Sequence, residues 1–323
     1  MFIHVKLHSL LISAPFKYGF SYEDWEISLH CMLQKGDLPL WLRLRIIQLF
    51  EGDLNVALNQ IFGIRQMQYR DTHHLNTEAT YGGRKRKSCH QALARIQYTT
   101  AEHSRITRTP VGFTDIDAAG CFDRVTGCLN SIIGQSNGLT QETASCQAEV
   151  LHKMHHYVKT KRGVSKKYIK RAPNLLLEGN GQGIAASVPG WHGHNELLCE
   201  VYSKLIKGCR IMNPVGDIDF VQWLLSFVDD NKMLTSYPPD VDHMEIMTTC
   251  RDSLQLWDEI LLNITGGALE LKKCLLTILL YCFCNSFEFS FKRPYYPGYP
   301  TILSTEKWRG NAKYTDEKRK RKS

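Results

Sequence analysis

The alternation of apolar and polar positions divides the chain into strands and helices. Residues 111 to 116 (VGFTDI) read as a strand. Phe220, Trp223, Leu224 and Leu225 lead into Phe227-Val228-Asp229-Asp230-Asn231, then Met233 and Leu234, which predicts strand, tight polar turn and strand with Asp-Asp-Asn supplying the turn. Residues 41 to 50 (WLRLRIIQLF) fit a strand or a short amphipathic helix. A helical pattern covers Gln91 to Thr99. Apolar Val150, Leu151, Met154 and Val158 predict another helix from Gln141 to Thr160, after a turn at Asn137 to Leu139. Residues 174 to 183 (NLLLEGNGQG) run from an apolar strand into a glycine-rich loop, and a helix follows from Ile184 to about Lys207 despite Pro189. Residues 243 to 263 are helical, Thr265-Gly266-Gly267 stops them, and a last strand lies near Leu275 to Phe283. This order of elements predicts an α+β fold with no internal repeat.

Composition narrows the class. The 323 residues suffice for one large domain or two ordinary ones, and 43% hydrophobic with 22% charged residues is ordinary for a globular chain. The net charge of +8 favours an anionic partner, nucleic acid or an anionic membrane, although solvated lysines explain it equally well. Eleven scattered cysteines include no Cys-x-x-Cys pair, which argues against a structural zinc site and for reduced thiols. The longest apolar run, Leu275 to Cys284, is too short to cross a bilayer. The short apolar stretch Leu10 to Ile12 follows His4, Lys6 and His8 and makes a poor signal peptide. The expectation is an intracellular chain without a membrane partner. Two basic segments stand out, Lys159 to Arg171 and the tail Lys318 to Lys322, the latter a solvated tail or a nuclear-import signal.

The carboxylates carry the chemistry. Asp115-Ile116-Asp117 closes a strand, and the spacing of two puts both aspartates on one face. Asp229 and Asp230 are adjacent and flanked by apolar strand residues. Two such carboxylates repel each other, and burial worsens the repulsion. A divalent cation relieves both, and a hard ion such as Mg²⁺ takes carboxylate oxygens while keeping sites for water or phosphate. A solvated turn is the bland reading of Asp229-Asp230 taken alone; its apolar flanks and the motifs around it outweigh that reading.

Those motifs resemble the reverse transcriptases, above all those of non-LTR retrotransposons and group II introns. TDIDAAGCFDRV (114 to 125) is similar to motif A, with Asp117, Phe122 and Asp123 in the matching places and Asp115 a neighbour. GNGQGIAASVP (179 to 189) resembles motif B through Gln182 and Gly183, with Ser187-Val188-Pro189 where a Ser-Pro pair is usual. FVDD (227 to 230) matches motif C. TGGALELKKC (265 to 274) resembles motif D through Lys273. GGRKRKSCHQAL (82 to 93) resembles a fingers segment through Arg84, and LRIIQLF (44 to 50) an earlier one through Arg45. The resemblance covers about residues 40 to 285.

It implies a right-hand polymerase: an antiparallel palm sheet with helices packed on one face, plus fingers, the thumb absent or truncated. The implied parts are fingers at 1–100, palm with motif A at 101–129, a fingers insertion at 130–172, palm with motifs B, C and D at 173–285, and the start of a thumb or a basic tail at 286–323. The implied activity is RNA-templated DNA synthesis, with an RNA template, a DNA primer and dNTPs as partners and no organic cofactor. Two Mg²⁺ ions, or Mn²⁺ in their place, would be held by Asp117, Asp229, Asp230 and the backbone carbonyl of Ala118. Phe122 would exclude a 2′-hydroxyl, Gln182 and Gly183 would contact the nucleotide, Arg45 and Arg84 would meet phosphates, and Lys273 would protonate the leaving pyrophosphate. Phe122 as a plain core aromatic, and the two arginines and Lys273 as exposed charges, are the competing assignments. Lys159 to Arg171 would hold a nucleic-acid backbone.

Three rival readings stand beside this one. Asp115-Ile116-Asp117 also fits the Asp-x-Asp of a metal-dependent glycosyltransferase, which leaves Asp229, Asp230, Gln182 and Gly183 without roles. The GNGQG loop lacks the third glycine of a dinucleotide-binding site. An inactive, truncated retroelement relic that only binds nucleic acid is the main alternative.

Overall fold

The computed structural model describes residues 2–34, 44–94, 98–171, 179, 181, 183–212, 215, 219–280 and 301–307, with backbone alone at 301–307. Gln182, the apolar run 174–178, residues 281–283 and the tail Lys318 to Lys322 lie outside the described residues. The chain forms two compact units, one of residues 1–77, 120–197 and 263–267, the other of 78–119, 198–262 and 268–323.

In the first unit, helix α1 (Phe2–Tyr18) precedes strands β1 (Ile27–Gln34) and β2 (Leu44–Phe50). Helix α2 (Gly52–Leu58) continues through π turns at Asn59–Arg65 into α3 (Gln66–Thr72). The second unit then contributes α4 (Cys89–Leu93), α5 (Thr99–Thr107) and β3 (Val111–Asp117). Back in the first unit come α6 (Gly127–Ser136), α7 (Gln141–Lys153), β4 (His155–Thr160) and β5 (Gly163–Ile169). The remaining elements are α8 (Ser187–Leu205), β6 (Cys209–Met212), β7 (Asp219–Gln222), β8 (Leu224–Phe227), β9 (Asp230–Ser236), α9 (His243–Thr265), β10 (Leu275–Leu280) and β11 (Thr301–Lys307).

The first unit holds a four-stranded sheet in the order β2-β1-β4-β5, with β1 and β4 parallel and the other pairs antiparallel. Phe16, Trp25, Leu54, Leu58, Phe62, Val150 and Met154 form its apolar core. Stacking of Phe16 on Trp25 at 5.6 Å ties α1 into that core. Nothing in the amino-terminal pattern announced this helix, because five of its large apolar residues, Ile3, Val5, Leu7, Leu10 and Leu11, stay exposed.

The second unit is built on an antiparallel sheet in the order β11-β10-β3-β9-β8, with a separate β6-β7 ribbon. Ile246 and Cys250 of α9 pack with Leu276 and Ile278 on one face. Val111, Phe113, Leu234 and Leu279 pack on the other with Ala92 of α4, Cys209 and Ile211 of the ribbon, and Ala101 of α5. The architecture is α+β, as the element order predicts.

Several boundaries depart from the sequence expectation. The helix expected over Gln141 to Thr160 ends at Lys153: Met154 turns extended (φ −55°, ψ 130°), and His155 onward joins the sheet. Of the helix expected over Gln91 to Thr99, α4 holds the start and α5 the end, and residues 95–97 lie outside the described residues. Of the two readings open for residues 41 to 50, the strand is the one observed, at 44–50. Helix α8 begins at Ser187, which leaves Pro189 in the first turn, where its missing N–H costs nothing.

Candidate active site

The acidic residues of interest gather at one end of β3 and β9. Strand β3 places Asp117 directly opposite Asp230 on β9, Asp115 opposite Lys232, and Phe113 opposite Leu234. Opposed side chains share a face with Cβ atoms about 4.5–5.5 Å apart. One face therefore steps from an apolar pair, through an ion pair, to an acidic pair at the rim. The Lys232 ammonium lies 3.0 Å from Asp115 and 5.8 Å from the centre of the Phe113 ring. Asp115 is thus matched by its own cation, whereas Asp117 faces another carboxylate. The sequence reading left Lys232 out; its place two residues after Asp230 was the signal.

Asp229 enters through the turn. Phe227 pairs with Asp230, so the hairpin loop is the two residues Val228 and Asp229. This corrects the expected Asp-Asp-Asn turn: Asp230 and Asn231 are already in β9. Two-residue hairpins require positive φ in the loop, and Val228 sits at φ 63°. A β-branched residue in this region is strained, by about 1–3 kcal/mol.

The strain is braced from behind. Tyr81 N–H donates to the Ser226 carbonyl at 2.9 Å, and Ser226 N–H to that of Ala79 at 2.8 Å, so residues 79–81 line β8. Gly82 then passes so close that a Cβ there would lie 2.3 Å from the Val228 nitrogen. This explains a glycine in the GGRKRKSCH segment: the backbone of the aspartate turn occupies the space. Arg84, half-buried, spends one N–H on the Thr80 carbonyl at 3.0 Å.

Lys273 supplies the positive charge. Its ammonium is hydrogen-bonded to Asp117 Oδ2, whose side chain is 19% exposed. Glu270 N–H donates to the Asp117 carbonyl at 2.8 Å, Ala119 N–H donates to that of Ala268, and buried Ala118 bridges to Leu269, so the motif D segment is laced to the end of β3. The hydrogen bond to Asp117, then the charges of Asp117, Glu270 and Asp229, raises the Lys273 ammonium above the ordinary lysine value. Desolvation, followed by the like charges of Asp229, Asp117 and Asp115, raises the Asp230 carboxyl, and Lys273 opposes this.

These donors suit a hard divalent cation in kind, being carboxylate oxygens whose mutual repulsion an ion would relieve. The cage is not assembled in advance. Among the described residues, no three acidic, histidine or cysteine side chains are gathered closely enough to form one. Lys273 holds the Asp117 oxygen that a cation would need.

The other sequence candidates lie in the first unit. Phe122 is in a 3₁₀ turn (Cys121–Asp123), with its ring edge-on to Trp191 at 6.4 Å. Gly179 meets the same turn. Its N–H donates to Val125 at 2.8 Å, its φ is 107°, and a Cβ there would lie 2.5 Å from the Phe122 carbonyl oxygen. The end of motif A and the start of motif B are therefore in contact, and glycine is what fits. Ser187 anchors the loop through its hydroxyl, which donates to the Gly181 carbonyl. Gly183 is exposed and near Ile47 and Gln48 of β2; Arg45 is exposed on the same strand.

Sequence reasoning also passed over a buried polar network in this unit. Arg70 donates to Asn76 at 2.8 Å and Asn137 at 2.6 Å, while His192 joins Asn76 at 2.9 Å and Glu196 at 3.3 Å. The Trp-His-Gly-His-Asn-Glu run on α8 was its only trace.

No protein-family model matches the chain, and neither does any curated protein. Solved structures do. Telomerase from Candida albicans, in complex with a TWJ fragment of telomeric RNA, matches at 12% identity with a TM-score of 0.50, over 88% of this chain and 46% of that one. Apo telomerase from Candida tropicalis, truncated from the C-terminal domain, matches at 12% identity and TM-score 0.52, over 89% and 57%. Candida tropicalis telomerase with the same kind of RNA fragment matches at 12% identity and TM-score 0.52, over 94% and 48%. The chain spans about half the length of these telomerases. It has a reverse-transcriptase-like fold of palm and fingers type. Among the described residues, no helix is long and apolar enough to cross a membrane.

Proposed function

We propose that the chain is the polymerase core of a reverse transcriptase from a retroelement, adding dNTPs to a DNA primer on an RNA template. The observation that carries this is the register of β3 on β9, which sets Asp117 across from Asp230 and beside Asp229, with Lys273 bonded to Asp117. The motif pattern supports the non-LTR or group II intron type, and the RNA in two of the telomerase structures supports a nucleic-acid partner.

In this reading, the primer 3′-hydroxyl attacks the α-phosphate of the dNTP and pyrophosphate leaves. Two Mg²⁺ ions held by Asp117, the Ala118 carbonyl, Asp229 and Asp230 supply hydroxyl activation and charge neutralisation when bound, and Mn²⁺ is the substitute the same oxygens accept. Lys273, protonated and bonded to Asp117, would pass its proton to the departing pyrophosphate. Asp115 stays with Lys232 and takes no direct part. Phe122, Gln182, Gly183, Arg45 and Arg84 keep the roles that the motif resemblance implies. Nuclear import through Lys318 to Lys322 belongs to the same proposal.

The test is primer extension on poly(rA) with dTTP and Mg²⁺. Wild type and Asp115→Asn extend, while Asp117→Asn and the double variant Asp229→Ala/Asp230→Ala lose at least about a thousandfold, the several kcal/mol that metal-ion catalysis contributes. Extension by the double variant sinks the proposal. The second reading, a relic that binds nucleic acid without copying it, draws on the Lys273 contact at Asp117; it predicts binding and no extension by wild type in Mg²⁺ or Mn²⁺.

A further inference from the structure

β4 and β5 form the hairpin that carries most of the basic segment Lys159 to Arg171. Between residues 150 and 177 the sequence has eight Lys or Arg and no Asp or Glu, as much positive charge as the net +8 of the whole chain. Lys153 spends its charge on Glu149 and Glu26. Lys159, Lys161, Arg162, Lys166, Lys167 and Lys170 meet no acidic partner among the described residues. Six cations this close in sequence repel one another, and no carboxylate among the described residues offsets that cost.

The hairpin is also laid open. Strand β5 is the outer strand of its sheet, and six of its seven residues are exposed. A strand exposed on both faces is not there to build a core. On one face an aromatic platform is held in place. Tyr168 pairs with Tyr157 across the strands, with ring centres 5.6 Å apart, and the His155 ring stands edge-on to Tyr168 at 4.4 Å. Tyr168 remains 45% exposed despite these contacts, and Val164 and Ile169 are exposed as well.

We infer that this hairpin grips single-stranded nucleic acid. The cations suit a phosphate backbone, since Lys and Arg without internal partners release counterions on binding. The tyrosine platform suits an unstacked base, and only single strands offer bases whose faces are open. Duplex would use the charges and leave the platform idle. An anionic membrane would use the charges and would take the Tyr168 ring into its headgroup region without stacking it. The inference rests on the polymerase reading only for nucleic acid as the partner class.

The experiment measures binding of a fluorescently labelled oligo(rU) to the full chain by anisotropy across a salt series. It uses the Asp229→Ala/Asp230→Ala background, so that chemistry plays no part. The triple variant Arg162→Gln/Lys166→Gln/Lys167→Gln flattens the slope of log affinity against log salt by about 0.7 per lost contact, and so by about 2. Tyr168→Ala weakens binding about fivefold to a hundredfold with the slope kept, the range for one stacked base. Arg162→Lys/Lys166→Arg/Lys167→Arg keeps the wild-type slope, which separates charge from misfolding. Unchanged slope and affinity in the triple variant overturn the inference. So does a loss seen only on phosphatidylserine vesicles with oligo(rU) binding intact. The two readings fail separately: absence of primer extension by the chain with native aspartates leaves the binding series standing, and a flat binding series leaves extension standing.

Discussion

Val228 and Gly82 show how one residue's conformation is enforced by another's absence of a side chain. Val228 occupies a left-handed conformation that valine disfavours, and the segment ending at Gly82 presses on its nitrogen and its Cγ2 at distances that only a glycine permits. The strain at Val228 is local to the turn that presents Asp229, and such strain persists only where neighbours over-determine it. Gly82→Ala therefore must push the hairpin or the 79–82 segment aside. The expected cost is about 1–3 kcal/mol of stability, the usual toll of overpacking, read as a lower urea midpoint. On the proposed function, displacement of the turn also moves Asp229, so primer extension falls further than the stability loss alone accounts for. A variant as stable and active as wild type contradicts this account of the turn. At this scale the sequence was partly legible. Adjacent aspartates between apolar strands announce a charged hairpin, but the loop falls one residue earlier than the polar residues suggest, because the β3–β9 register and not turn propensity places Asp230.

Among elements, β3 and β9 were readable because each combines apolar alternation with a polar end, and long α9 because its period is regular. The run from Gln141 to Thr160 misled for a physical reason. Val150, Leu151, Met154 and Val158 keep helical spacing through Met154, which is itself buried in the core. The chain leaves the helix there because Tyr157, Val158 and Thr160 favour a sheet and β1 offers a parallel partner from Ile27 to Cys31. That pairing brings His156 of β4 against His30 and Ser28 of β1, with its Nδ1 2.8 Å from His30 Nε2 and 2.7 Å from Ser28 Oγ. Burial first, then the charges of His30 and His155, pushes His156 down to about 4, and burial lowers His30 too. In the unfolded chain a histidine titrates near 6.5. The folded state binds fewer protons between those values, so stability rises with pH across that interval. It is fully present above about 6.5 and drains away as the pH falls towards 4. Urea midpoints taken at pH 7, 6 and 5 should decline in that order, and His156→Gln should shallow the decline. A decline of equal steepness in that variant would assign the effect to other groups.

For the molecule as a whole, the α+β class was legible because apolar strands and helical segments follow one another in the predicted order, and the acidic end because charged residues set in apolar strands are costly without a purpose. What stayed hidden is what needs three dimensions: the braces at Gly82 and Gly179, the Lys232 partner of Asp115, and the exposed first helix. The acidic rim has a consequence for the stability of the entire chain. Asp117 and Asp230 face each other only when β3 and β9 are paired, so an ion that binds them binds the native state and not the unfolded one. Such a ligand stabilises by RT ln(1 + [L]/Kd), about 1.4 kcal/mol when its concentration is tenfold above Kd. Lys273 must yield the Asp117 oxygen first, which weakens the apparent affinity without changing the sign. Thermal melts in rising Mg²⁺ should therefore move upward and plateau late, with EDTA returning the midpoint to its starting value. In Asp229→Ala/Asp230→Ala the shift should vanish, and in Lys273→Met, where the competing ammonium is gone, it should begin at lower Mg²⁺. If the double variant shifts as far as wild type, the ion is binding elsewhere and the acidic end of β3 and β9 is not the cation site.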